Sequence, residues 1–130
     1  MAKLNKKTGF IGAGNMAEAF IGAVTRTGII PSTMIYASDV NSERLSMLKK
    51  TYGISVMDDN YKIFSMCDII VLAVKPQQMS DVLSLITSRN EYGIERRKLV
   101  ISIAAGVTLG KLESFLYAPL EREVSGKLPI

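Results

Sequence analysis

The chain contains no histidine and only one cysteine, Cys67. Without histidine, Ser-His-Asp and Cys-His nucleophilic sites and histidine-ligated zinc are excluded from these residues, and most hydrolytic chemistry goes with them. A lone cysteine forms no internal disulfide and fits a reducing compartment. Placed against an apolar run, with no metal-ligand neighbours, it reads as a small core or boundary residue. No apolar run reaches the ~18 residues of a membrane span, and no charged, apolar and cleavable leader opens the sequence, so neither a membrane partner nor secretion is expected. Internal repeats and low-complexity linkers are also missing. A large excess of one charge sign is also missing: 16 basic and 12 acidic residues give +4, partly from Lys3, Lys6 and Lys7 ahead of the first strand. Those lysines have no interleaved aromatics, which favours solubility over nucleic-acid binding.

What remains is enough for one domain with a real core, since the chain has 130 residues. Its organising stretch is Thr8-Gly9-Phe10-Ile11-Gly12-Ala13-Gly14-Asn15-Met16-Ala17, an apolar strand entering a glycine-rich turn and a helix. This G-x-G-x-x-A pattern opens a dinucleotide-binding βαβ unit. Gly12 permits the tight turn, Gly14 lets a pyrophosphate approach the backbone, and Ala17 lets helix and strand pack closely. The phosphates would meet unpaired N–H groups at the helix start.

Beyond the turn, the spacing predicts a helix from Met16 to Thr27 with Ala17, Phe20, Ile21 and Val24 facing a sheet, ended by Gly28. A strand at Met34–Ser38 follows, then a helix at Ser42–Tyr52 capped by Asn41 or Ser42 with Leu45 and Leu48 inward, and a third strand at Ile54–Met57. Asp58 or Asp59 caps a short helix over Asn60–Ser65. The continuous apolar run in Asp68–Val74 predicts a central parallel strand, ended by Pro76. Gln77–Ser88 reads as a helix with Met79, Val82, Leu83 and Ile86 on one side; Asn90–Lys98 is a charged loop. Leu99–Ile103 is a fifth strand, Ala104-Ala105-Gly106 a close-packed turn, and Leu109–Tyr117 a last helix. The alternation predicts an α/β, doubly wound, parallel-sheet Rossmann-like domain of order 3-2-1-4-5, with its ligand where the order reverses. Leu128-Pro129-Ile130 reads as the approach to a further strand, so the domain is expected to be incomplete at its C-terminal end.

Together these stretches resemble the N-terminal cofactor domain of pyrroline-5-carboxylate reductase. Phe10 to Ala17, with Asn15-Met16, is similar to that family's nucleotide fingerprint; Ala73-Val74-Lys75-Pro76-Gln77 and Ile101 to Thr108, followed by Leu112-Glu113, are similar to two later signatures. The resemblance implies a cytosolic oxidoreductase that transfers hydride from NADP(H) or NAD(H) to the C=N carbon of 1-pyrroline-5-carboxylate, giving L-proline. It implies a homo-oligomer in the full-length protein, built through a C-terminal helical domain for dimerisation and substrate binding that these residues do not include. The alternatives are a free-standing dinucleotide-binding or sensing module without catalysis, and a fragment of a related NAD(P)-dependent dehydrogenase, which the two later signatures oppose.

Within that reading, Gly12, Gly14 and Asn15 are the leading cofactor contacts, and the likeness puts Met16 beside the phosphates. Ser38 and Asp39 close the second strand, where an adenosine ribose is met. Asp39 would accept from ribose hydroxyls and repel a 2′-phosphate, or equally would start a turn or cap a helix. The family often has a neutral residue near Asp39, so the sequence departs there from an NADPH pattern. Ser38, the Val40-Asn41 backbone and Arg44 are candidates for accommodating phosphate. Lys75 would approach cofactor phosphate or substrate carboxylate as a charge, and is not assigned as a general acid. Ala73 and Val74, with Ala104, Ala105 and Gly106, would line the nicotinamide end; strand–helix packing requires small residues just as strongly. The resemblance suggests an adenosine-side contact for Asn60, although helix initiation explains it more simply. No side chain is assigned as proton donor and no metal motif is present.

Overall fold

The computed structural model describes residues 5–89, 92 and 98–103. Its framework is a five-stranded parallel sheet in the order β3-β2-β1-β4-β5. The strands are β1 (Thr8–Ile11), β2 (Ile35–Ser38), β3 (Ser55–Met57), β4 (Ile69–Leu72) and β5 (Leu99–Ser102). Between them run α1 (Asn15–Thr27), α2 (Ser42–Tyr52), α3 (Asn60–Met66) and α4 (Pro76–Thr87).

Successive strand side chains point to opposite faces, and both faces of β1 and β4 are covered. Phe10 and Val71 join Ala17, Ile21, Leu45 and Leu48 in one core layer under α1 and α2. Ile11, Ile70 and Leu72 join Ile63, Phe64, Met79 and Leu83 in the other, under α3 and α4. This double burial is the physical reason why β4 is an unbroken apolar run.

Several boundaries shift for local reasons. The β4 ladder is shorter than Asp68–Val74, but Asp68 O accepts from Leu99 N and Ala73 N donates to Ile11 O at its two ends. Pro76 both stops that segment and occupies the first turn of α4, where a missing N–H is no loss. Asp59, not Asp58, caps α3 by accepting from Tyr61 N and Lys62 N. Phe20, expected to face the sheet, is 42% exposed. Ala17 and Ile21 set the buried line of α1, and Phe20 lies about 100° around the helix from Ile21. Among the described residues no helix is long and apolar enough to cross a membrane. The expected turn at Ala104-Ala105-Gly106 and helix at Leu109–Tyr117 lie outside the described residues.

Lys98 differs most from a solvated loop charge, being 2% exposed. Its Nζ donates to the carbonyl oxygens of Ser65 (3.2 Å) and Cys67 (2.7 Å) and lies 5.4 Å from the centre of the Phe64 ring. Those carbonyls belong to the end of α3, where the helix supplies no donors of its own. Lys98→Met keeps the apolar stem and removes the donors, so urea unfolding is expected to show a loss of about 1–3 kcal/mol; an unchanged midpoint would refute this role.

Candidate functional site

The sheet order reverses beside β1, so the loops after β1 and β4 diverge and leave a cleft at the carboxyl ends of the strands. One end of the cleft is walled by Ser38, Asn60, Gln78 and Asp81. The middle passes over Gly12, Ala13 and Gly14, with Asp39, Asn41 and Arg44 to the side. The other end reaches Met16, Ala73, Val74, Lys75, Pro76 and Ile103.

The two glycines in the middle are needed for different reasons. Gly12 has φ of 103° and donates its N–H to Ser38 O at 2.9 Å. A Cβ on it would lie 2.8 Å from the backbone carbon and oxygen of Ala73, so both backbone conformation and close approach demand glycine. Gly14 has an ordinary φ of −78°, and a Cβ there would meet no protein atom within 4 Å. The protein's own packing therefore does not require Gly14 to be bare. The open space above it is the cleft, beside the start of α1.

That helix start is prepared for an anion. Asn41 caps α2 by accepting from Arg44 N, and Asp59 caps α3, but no side chain caps α1. The first-turn N–H groups of Asn15, Met16 and Ala17 have no intrahelical acceptors, and they carry the positive end of the helix dipole. Phosphate oxygens fit this combination of bare glycine and uncapped helix.

A polar network fixes the turn from the side. Asp39 accepts from Ala13 N through Oδ2 (2.7 Å) and from Asn41 N through Oδ1 (2.9 Å). Arg44 donates from Nε to Ala13 O (2.7 Å) and from a terminal nitrogen to Asn15 Oδ1 (3.3 Å) and Glu18 Oε1 (2.6 Å). Tyr52 completes the network by donating its hydroxyl to Glu18 Oε2 at 2.8 Å. The Tyr52 hydrogen bond, followed by that from Arg44, holds the Glu18 carboxyl below its ordinary value, while the same Glu18 bond raises the Tyr52 phenol.

The remaining candidates are distributed along the cleft. Ser38 is fully buried and donates its hydroxyl to Asn60 Oδ1 at 2.5 Å, so the pair closes its end of the cleft as a unit. Lys75 is exposed at the N-terminus of α4, its backbone N–H donating to Gln78 Oε1 at 3.4 Å. Met16 is 59% exposed at the other end, near Ala73 and Val74. Ala104, Ala105 and Gly106 lie outside the described residues. Gln78, Asp81, Glu18 and Tyr52 were not singled out by sequence. Gln78 and Asp81 sit three apart on α4, a helical spacing that puts them on one face, whereas Glu18 resembles any first-turn acid. Among the described residues no group of three or more Cys, Asp or Glu is placed to hold a metal.

Two outcomes follow from this geometry. Gly14→Val is expected to change stability by no more than about 1 kcal/mol while weakening dinucleotide binding about tenfold or more in calorimetry. Unchanged affinity in a folded variant would remove the pyrophosphate assignment. The second concerns pH. The folded-state value of Glu18 is lowered from 4.5, so its stabilisation is complete above the unfolded value and disappears as pH falls through the folded one. The stability gap between the chain and Glu18→Gln, read from urea midpoints, is expected to be steady at neutral pH and to close in that acid window. A gap independent of pH would count against the charge-based account.

Residues 7–106 match the protein family described as NADP oxidoreductase coenzyme F420-dependent. The chain is 47% identical over 112 residues to the pyrroline-5-carboxylate reductase of Methanosarcina acetivorans, covering 86% of this chain and 40% of that one. The fold is similar to a pyrroline-5-carboxylate reductase from Coxiella burnetii, with a TM-score of 0.78 and 30% identity over 88% of this chain and 41% of that one. It is also similar to the Plasmodium falciparum pyrroline carboxylate reductase with NADP bound, with a TM-score of 0.70 and 31% identity over 88% of this chain and 39% of that one. The chain thus spans about 40% of the length of the relatives it matches. The match over residues 7–106 places the chain in the NADP oxidoreductase coenzyme F420-dependent family, and its similarity to these relatives places it with the N-terminal NAD(P)-binding region of the pyrroline-5-carboxylate reductases.

Proposed function

We propose that the chain is the cofactor-binding portion of an oxidoreductase that reduces 1-pyrroline-5-carboxylate to L-proline with NAD(P)H. The observation that carries the cofactor role is Gly14, left without a side chain beside an uncapped helix although no neighbouring protein atom requires it. The similarity to pyrroline-5-carboxylate reductases from several organisms supports the choice of substrate.

In this reading Gly14 and the first turn of α1 bind the pyrophosphate, Asp39 meets the adenosine ribose, and the Ser38–Asn60 pair bounds the adenosine pocket. Met16, Ala73, Val74 and Ile103 form the more apolar end, which holds the nicotinamide ring and keeps water from it. A bound nicotinamide dinucleotide supplies the hydride itself. The chain contributes alignment, setting the ring toward the position of the imine carbon, and Lys75 adds positive charge on the same side. A partner helical domain completes the substrate pocket and the oligomer. A reducing, cytoplasmic setting belongs to the same proposal, supported by the single, buried cysteine.

The test joins binding to turnover. The chain alone is expected to bind NADH or NADPH saturably without consuming it in the presence of 1-pyrroline-5-carboxylate. Fusion to the C-terminal part of the Methanosarcina acetivorans relative is expected to produce substrate-dependent oxidation and L-proline. A folded fusion that binds cofactor but forms no proline would favour a binding module over a reductase part.

A further inference from the structure

We propose that Glu18 makes the site selective for NADH over NADPH by holding the Arg44 guanidinium in an internal ion pair, away from an adenosine 2′-phosphate. The inference rests on the cofactor reading above and adds a selectivity-positioning residue, Glu18, that acts through Arg44.

Arg44 and Asp39 line the same stretch of the cleft, beside the turn that holds the pyrophosphate. A 2′-phosphate in that stretch needs a cation, and a guanidinium is suited to the task because its planar fork pairs with phosphate oxygens. Arg44 is already engaged. Its Nε bonds Ala13 O, a terminal nitrogen reaches Asn15 Oδ1 and Glu18 Oε1, and the Glu18 pair is 2.6 Å long. Tyr52 holds the other Glu18 oxygen, so the carboxylate cannot swing aside without losing a second bond. The charge of Arg44 is thereby paired with that of Glu18, the two side chains being 24% and 29% exposed.

Asp39 works in the same direction. Each of its oxygens accepts one backbone N–H, from Ala13 or Asn41, which fixes the carboxylate in place. An ionised carboxylate has about four acceptor positions, so each oxygen retains one for a ribose hydroxyl. A phosphate in place of that hydroxyl would bring two negative charges together with no free guanidinium from Arg44 between them. Lys75, the other cation along this stretch, belongs to the segment after β4, across the cleft from the end of β2.

The experiment is a calorimetric titration of the chain with NADH and with NADPH at low and moderate salt. Glu18→Gln, Arg44→Met, the double variant and Asp39→Ser are titrated alongside it. The unaltered chain is expected to bind NADH about tenfold or more tightly than NADPH. Glu18→Gln is expected to tighten NADPH roughly threefold to tenfold with NADH nearly unchanged, and to do so less as salt rises. The gain is expected to vanish in the double variant, because it passes through Arg44. Asp39→Ser is expected to narrow the preference without needing Arg44 to be freed. Equal affinities in the unaltered chain, or a Glu18→Gln change that weakens both cofactors alike, would overturn the selectivity role and leave cofactor binding intact. Failure of the folded chain to bind either dinucleotide would overturn the cofactor reading, and this inference with it.

Discussion

The close approach of Gly12 to Ala73 is the constraint from which the site follows. With 2.8 Å between a hypothetical Cβ and the Ala73 backbone, any side chain at Gly12 would push the end of β1 away from the end of β4. Those two strands meet where the sheet changes direction, and their following loops form the two lips of the cleft. Their nearness also lets Ala73 N reach Ile11 O, while on the other side Gly12 N reaches Ser38 O of β2, so the turn is tied to strands on both sides. The backbone of the turn is thus an extension of the hydrogen-bonded sheet.

A second layer of control comes from side chains. Asp39 grips the N–H of Ala13 and Arg44 grips its carbonyl, so both polar groups of one residue in the turn are held from the β2–α2 side. Glu18 and Tyr52 then couple α1 to α2 through Arg44. The turn receives its shape from Gly12 and its polar support from α2, leaving Gly14 and the helix start open.

Much of this was legible in sequence because it depends on patterns of short range. Alternating apolar strands and helices gave the strand order, and the helix at Ser42–Tyr52 was readable from a cap at Asn41 or Ser42 and from Leu45 and Leu48. The placement of Gly12, Gly14, Asp39 and Lys75 around one cleft followed from their positions just beyond strands. Less visible were contacts between distant segments. Nothing local distinguishes Lys98 from its charged neighbours; only the approach of β5 to the end of α3 brings its amine against Ser65 and Cys67. Likewise, Glu18 and Arg44 lie 26 residues apart, and their pairing emerges only when α1 and α2 lie side by side. Phe20 shows the opposite limit: its spacing suited a buried stripe, but the width of the helix–sheet contact left it outside.

The uncapped start of α1 has a thermodynamic consequence. A capping side chain contributes about 1 kcal/mol to a typical helix, and this one has none. Under the proposed function, the dinucleotide supplies the missing acceptors and becomes part of the folded structure while it is bound. Mass action then links folding to the cofactor pool: at a free concentration one hundred times the Kd, the folded state gains about 2.7 kcal/mol. The chain would be most resistant to unfolding and proteolysis when nicotinamide dinucleotide is plentiful, and its abundance would fall as the pool is drained.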